Sequence, residues 1–259
     1  LLKFIVVDLI LRQMEKIDIV YKLGTGSENG DSELRYSLRS LVNFPLLGKV
    51  YVIGHKPSWL QNVIHIPVED CYTQNKDANL INKLILASCH KEISEEFINM
   101  SDDQIFLKEI DYKEISIPYY NNKLYESATG GKVNRWQIRL ERTVNALRSK
   151  NLPINCFECH IPVLLRREKF AQVLFNYDYG FDRGYVGNTL YFNSLGIQGR
   201  ELDPNIIARL FNDDHVKSVE RIESLCEGKT YLSYSQNTEV PTLFQFLNKR
   251  FPEKSKFEC

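Results

Sequence analysis

The sequence has no excess of either charge: Lys and Arg number 33, and Asp and Glu number 33. A balanced chain has no global field to draw it onto DNA or an anionic membrane, so nucleic acid is not an expected partner. Long apolar runs are also missing. None reaches the ~18 residues that a membrane-spanning helix needs, so no transmembrane segment is expected. The opening stretch "LLKFIVVDLILRQ" is apolar but short, is interrupted by Lys3 and Asp8, and is followed by no small-residue cleavage site. Without an export signal, the expected location is cytoplasmic. The six cysteines (Cys71, Cys89, Cys156, Cys159, Cys226 and Cys259) are then expected to be reduced. Internal repeats, heptads and low-complexity tracts are absent, which excludes solenoids and coiled coils.

What is present is an ordinary globular composition, 43% hydrophobic and 25% charged over 259 residues. Met14 stands directly before "EKIDIVYKLG" and reads as the native start. Residues 1–13 are then a non-native or flexible extension, and 14–259 a single domain. "IDIVYKLG" (Ile17–Gly24) is a buried strand by composition. Asp31 and Ser32 are placed to cap the helix "ELRYSLRSLVNF", in which Arg35 and Arg39, four apart, share a face. "KVYVIG", "VIHIPV" and "EEFINM" read as further strands, with the helix "NLINKLILASCHKEI" between the last two. Such alternation predicts an α/β fold, a mostly parallel central sheet with helices on both faces. Ile115–Asn134, with Tyr119, Tyr120 and Tyr125, reads as a long loop able to cover a site.

Two stretches carry candidate chemistry. In "NCFECHIP", Cys156, Cys159 and His160 have the spacing of a haem attachment site. A cytoplasmic setting and the lack of an obvious second axial ligand argue against haem. A zinc site completed by Cys226 or His215 is a second reading, although three ligands crowded into five residues rarely converge on one tetrahedral ion. In "FINMSDDQIF", Asp102 and Asp103 directly follow a strand. Ligands of open α/β sheets bind outside the carboxyl ends of strands, and two carboxylates there suit a hard divalent cation, Mg²⁺ or Mn²⁺. The other reading is a solvated turn.

The stretches "DIVYKLGTGS", "SELRYSLRSL" with "KVYVIGHKPSWL", and "ISEEFINMSDDQIFL" resemble, in order, the first two conserved regions of the Stealth family. "CHIPVLLRREKF" resembles its third, a histidine followed closely by proline and a helix, with Cys156 and Cys159 expected as neighbours on a strand leading into His160. The sequence departs from the pattern where it lacks the Trp and final Asp of the first motif and has Ser101 in place of Asn. The resemblance implies a GT-A-like (Rossmann-like) fold and sugar-1-phosphate transfer from a nucleotide-sugar donor, a UDP-sugar first, to a saccharide acceptor in capsule or surface polysaccharide synthesis. Transfer of the sugar alone, or a binding module without turnover, are the alternatives. It further implies catalytic roles for His160, Asp103 and Arg39. Tyr21, Gly24, Gly26, Ser27, Arg35 and Arg39 would bind substrate or nucleotide, and Asp102 and Asp103 the metal.

Overall fold

A computed structural model describes residues 16–73, 75–123, 135–180 and 184–259. The expected extension 1–13, Tyr125 and the 124–134 part of the Tyr-rich loop lie outside the described residues. Strand β1 (Ile17–Leu23) is the middle of a five-stranded sheet whose other members are β2 (Leu47–Gly54), β3 (Ile64–Ile66), β4 (Glu96–Met100) and, further along the chain, Val163–Arg166. The first four run parallel, and the last pairs antiparallel with β4 at the edge.

Period-two alternation in "IDIVYKL" divides β1 between two cores. Ile19, Tyr21 and Leu23 face one side, against Leu34 and Leu38 of α1 (Ser32–Ser40). Val20 faces the other, against Ile81, Leu84 and Ile85 of α2 (Lys76–Cys89). The sheet is therefore covered on both faces, which is why its strands read as continuous apolar runs. Burying each such side chain contributes roughly 1.5–3 kcal/mol. At the end of β2, Gly54 has φ 106, and a Cβ there would stand 2.2 Å from the Leu23 carbonyl oxygen, so only glycine fits.

The chain continues through β5 (Gln104–Phe106), the single turn α3 (Tyr112–Ile115), β6 (Tyr119–Tyr120) and α4 (Arg135–Arg148). It then forms the edge strand β7 (Val163–Arg166), α5 (Arg167–Leu174), α6 (Gly187–Ser194), β8 (Arg200–Glu201) and β9 (Ile207–Leu210). It closes with α7 (Val219–Cys226), β10 (Tyr231–Tyr234) and α8 (Pro241–Arg250). β5, β10 and β9 form a second sheet, packed on Leu243, Phe246 and Leu247 of α8.

Four local expectations change. Asp31 stands at the N-cap of α1 with φ 56 but makes no side-chain cap, and its carboxylate lies 3.9 Å from His55 instead. The third strand is shorter than "VIHIPV". The expected loop at 115–134 begins with β6, in which Tyr119 is buried and donates to Glu114, so Tyr119 is a packing residue. The cysteines are not on a strand leading to His160; the strand comes after it. Among the described residues, no helix is long and apolar enough to cross a membrane.

Candidate active site

The carboxyl ends of β1 and β4 lie side by side, because the two strands pair in parallel register from Asp18↔Phe97 to Tyr21↔Met100. Lys22, the next residue of β1, sends its Nζ to the Asn99 amide oxygen. Past β4 the chain turns sharply: the Ser101 amide donates to Gln104 Oε1 at 3.0 Å and the Gln104 amide to the Ser101 carbonyl at 3.2 Å. Asp102 and Asp103 occupy the tip of this turn. Lys22, Asn99, Ser101, Gln104, Glu158 and His160 all line a cleft of about 520 Å³, together with Trp136, Arg139, Asn188 and Arg209.

His160 has φ 58, a left-handed conformation that costs a residue with a Cβ of order 1 kcal/mol or more. That turn brings its Nε2 to 3.7 Å from Asp103 Oδ2 and its ring edge-on to Phe211 at 5.4 Å. Burial, then the nearby Arg209 charge, holds the imidazole pKa below its ordinary value, so the ring is neutral at neutral pH. Burial pushes both aspartates up, and at Asp102 the neighbouring Asp103 charge adds to the effect. Lys22 is lowered to about 8 by burial, with Asp102, Asp103 and Glu158 opposing. Glu158, which accepts from the Thr189 amide at 3.2 Å at the start of α6, is also raised by burial.

Asp103 Oδ1 is buried and has no hydrogen-bond partner among the described residues. Two adjacent carboxylates, one with an orphaned oxygen, are hard oxygen donors of the kind Mg²⁺ or Mn²⁺ takes, although no group of three or more His, Cys, Asp or Glu side chains able to hold a metal ion forms among the described residues. The zinc reading does not fit. Cys159 is buried with its thiol driven up by desolvation and directed at the Tyr119 carbonyl, whereas zinc needs a thiolate. Cys226 packs in the separate core beneath β9 and β10, and His215 bonds within its own turn.

Of the other residues expected at the site, Tyr21 belongs elsewhere. It is fully buried, its hydroxyl 2.9 Å from Ser37 Oγ, because alternation along β1 turns it into the core. Arg39 is likewise redirected. Its Nε and Nη2 grip Glu258 at 2.9 and 2.8 Å, and its Nη1 donates to the Phe251 carbonyl. Arg35 stacks on Trp59 with its guanidinium carbon 3.8 Å from the ring centroid, and reaches the same Glu258 at 3.4 Å. Both arginines share a face, as their spacing requires, but that face meets the C-terminal tail. Gly24, Gly26 and Ser27 form an open loop beyond β1, in which Ser27 Oγ accepts the Asp31 amide. Lys22 and Glu158 lie within quoted stretches whose chemistry was read at other residues, and Asn188 and Arg209 lie outside every motif.

No family model matches the chain, and no curated protein matches it. Solved structures do. Mouse xyloside xylosyltransferase 1, in its apo form, is 13% identical with a TM-score of 0.46, over 87% of this chain and 99% of its own. Galactosyltransferase LgtC in complex with donor and acceptor sugar analogs is 9% identical with a TM-score of 0.48, over 93% and 98%. An active-site mutant of LgtC is 10% identical with a TM-score of 0.50, again over 93% and 98%. The fold is GT-A. At these identities the likeness extends to the fold alone, and in a GT-A sheet the cleft described above lies at the carboxyl ends of the parallel strands, where such folds take ligands.

Proposed function

We propose that this chain is a metal-assisted transferase that uses a nucleotide-activated sugar, a UDP-sugar first, and a hydroxyl of a saccharide acceptor. The observation that carries the reading is the Asp102–Asp103 pair at the end of β4, with one orphaned carboxylate oxygen and a neutral His160 imidazole 3.7 Å away. That LgtC shares the fold and is a galactosyltransferase supports the class.

In this reading Asp102 and Asp103 hold the cation, which when bound neutralises charge on the departing phosphate. The Gly24–Ser27 loop approaches the nucleotide. His160 takes the proton of the acceptor hydroxyl, a task suited to an imidazole kept neutral near the working pH. Glu158 and Asn188 offer acceptors and donors to sugar hydroxyls. The finer reading we favour is sugar-1-phosphate transfer, supported by the motif resemblance over Ile17–Leu107 and at His160 and Pro162. There the acceptor oxygen attacks the phosphorus that carries the sugar, the anhydride bond breaks, and UMP leaves. In glycosyl transfer the anomeric carbon is attacked and UDP leaves.

A panel of nucleotide-sugars with Mg²⁺, Mn²⁺ or chelator, read by thermal shift and product analysis, tests the proposal. One donor is expected to raise the melting temperature only with metal, and Asp103→Asn to abolish that shift. Release of UMP supports the finer reading and UDP the alternative. A folded protein stabilised by no donor under any metal condition sinks both.

A further inference from the structure

Several partly buried guanidinium groups among the described residues come with carboxylates. Arg35 and Arg39 share Glu258, Arg139 has Asp77, and Arg167 has Glu168. Arg209, on β9, differs. It is partly buried, and no carboxylate lies within ion-pair distance among the described residues; its Nε, like those of Arg139 and Arg167, has no hydrogen-bond partner there. Among the described residues, its side chain donates from Nη2 to the Cys159 carbonyl at 2.7 Å. Burial lowers its pKa, and the Cys159 thiol beside it is held in its neutral form. It lines the cleft beside His160 and also an adjoining cavity of about 500 Å³, where Glu201 and Asp203 sit beyond ion-pair reach.

Burying an unpaired charge is expensive, and proteins retain such a group where something else completes the pair. A planar fork with free donors, opening into a ligand-sized cleft, matches phosphate oxygens. We propose that Arg209 is the anion-binding residue of this cleft, taking the oxygens of a phosphoryl group carried by the donor or by an acidic acceptor. The inference rests on the cleft being the substrate site, as the preceding reading has it. The rival role is purely structural: Arg209 as a clamp on the Cys159 carbonyl, fixing the His160 turn.

Calorimetric titration of the full chain at fixed ionic strength, with inorganic pyrophosphate and UDP as probes, separates the two. Arg209→Gln is expected to weaken both probes about tenfold to a hundredfold, the scale of a charged hydrogen bond, and Arg209→Lys to recover part of the loss. In anion-free buffer the melting temperature of Arg209→Gln should equal or exceed that of the parent, because an uncompensated charge has been removed. A second titration, with inorganic phosphate into UDP-saturated protein, identifies the source. Binding that persists and depends on Arg209 assigns the residue to the acceptor, and binding blocked by UDP assigns it to the donor. Unchanged anion affinity with a lowered melting temperature in Arg209→Gln establishes the clamp and overturns the proposal, as does a parent protein that binds neither probe. Turnover of a nucleotide-sugar with anion affinity unaltered by Arg209→Gln removes this inference alone. Arg209-dependent pyrophosphate binding by a protein that consumes no nucleotide-sugar removes the transferase reading alone.

Discussion

His160 sits in a backbone region that its own Cβ disfavours, and the side-chain contacts it makes there are an edge-on Phe211 and the Asp103 carboxylate at 3.7 Å. Strain of this kind points to a position fixed for function rather than for stability. Asparagine tolerates the left-handed region better. His160→Asn is therefore expected to hold or raise the melting temperature while donor turnover falls at least about a hundredfold, the usual weight of a general base. The acid pair gives a second residue-scale prediction. A carboxyl whose folded pKa is raised contributes stability that is complete below its unfolded value and is lost as pH rises through the folded one. The metal-free protein should thus lose stability from pH 5 to 8, and Asp103→Asn should reduce that loss, read from denaturant midpoints across the range. An unchanged pH dependence in the variant would exclude Asp103 as its source. At this scale the sequence was legible where residue type and chain position coincide, as in Asp103 and His160, which fold to within 3.7 Å of each other. Arg209 was illegible because its significance is the partner it lacks, and an absent partner leaves no pattern in a chain.

The elements of the first hundred residues could be read because periodicity and burial agree: β1 alternates between two cores, and α1 presents Leu34 and Leu38 at helical spacing. The same alternation explains an error of reading. A motif names consecutive residues, yet Tyr21 and Lys22 leave β1 on opposite faces, and only Lys22 lines the cleft. The shared face of Arg35 and Arg39 was also legible, but not its partner, since Glu258 lies 219 positions from Arg39. Burial would raise the Glu258 carboxyl, but the Arg39 and Ser255 hydrogen bonds hold it at about 2. A depressed folded pKa contributes stability above the unfolded value that is lost as pH falls through the folded one. Glu258→Gln should accordingly cost on the order of 3 kcal/mol at pH 7, the scale for breaking a buried pair, and the deficit should shrink between pH 4.5 and 2. Urea melts at both ends of that window measure it. A deficit independent of pH would assign the effect to packing.

Across the whole molecule, the tail that carries Glu258 also bridges to Leu60, while the Gln61 amide donates to the Phe257 carbonyl. This late segment is thus fastened to α1 and to the loop between β2 and β3. During synthesis the first elements of the five-stranded sheet emerge long before their fastening does. At about 5–20 residues per second, the 219 positions between Arg39 and Glu258 take roughly 10 to 45 s to translate. For that interval the two arginines of α1 lack Glu258, and the apolar surface that Phe257 packs against is uncovered. The first-made sheet thus waits on a clasp made 219 positions later, so a chain cut anywhere before Glu258 leaves its oldest elements unfinished.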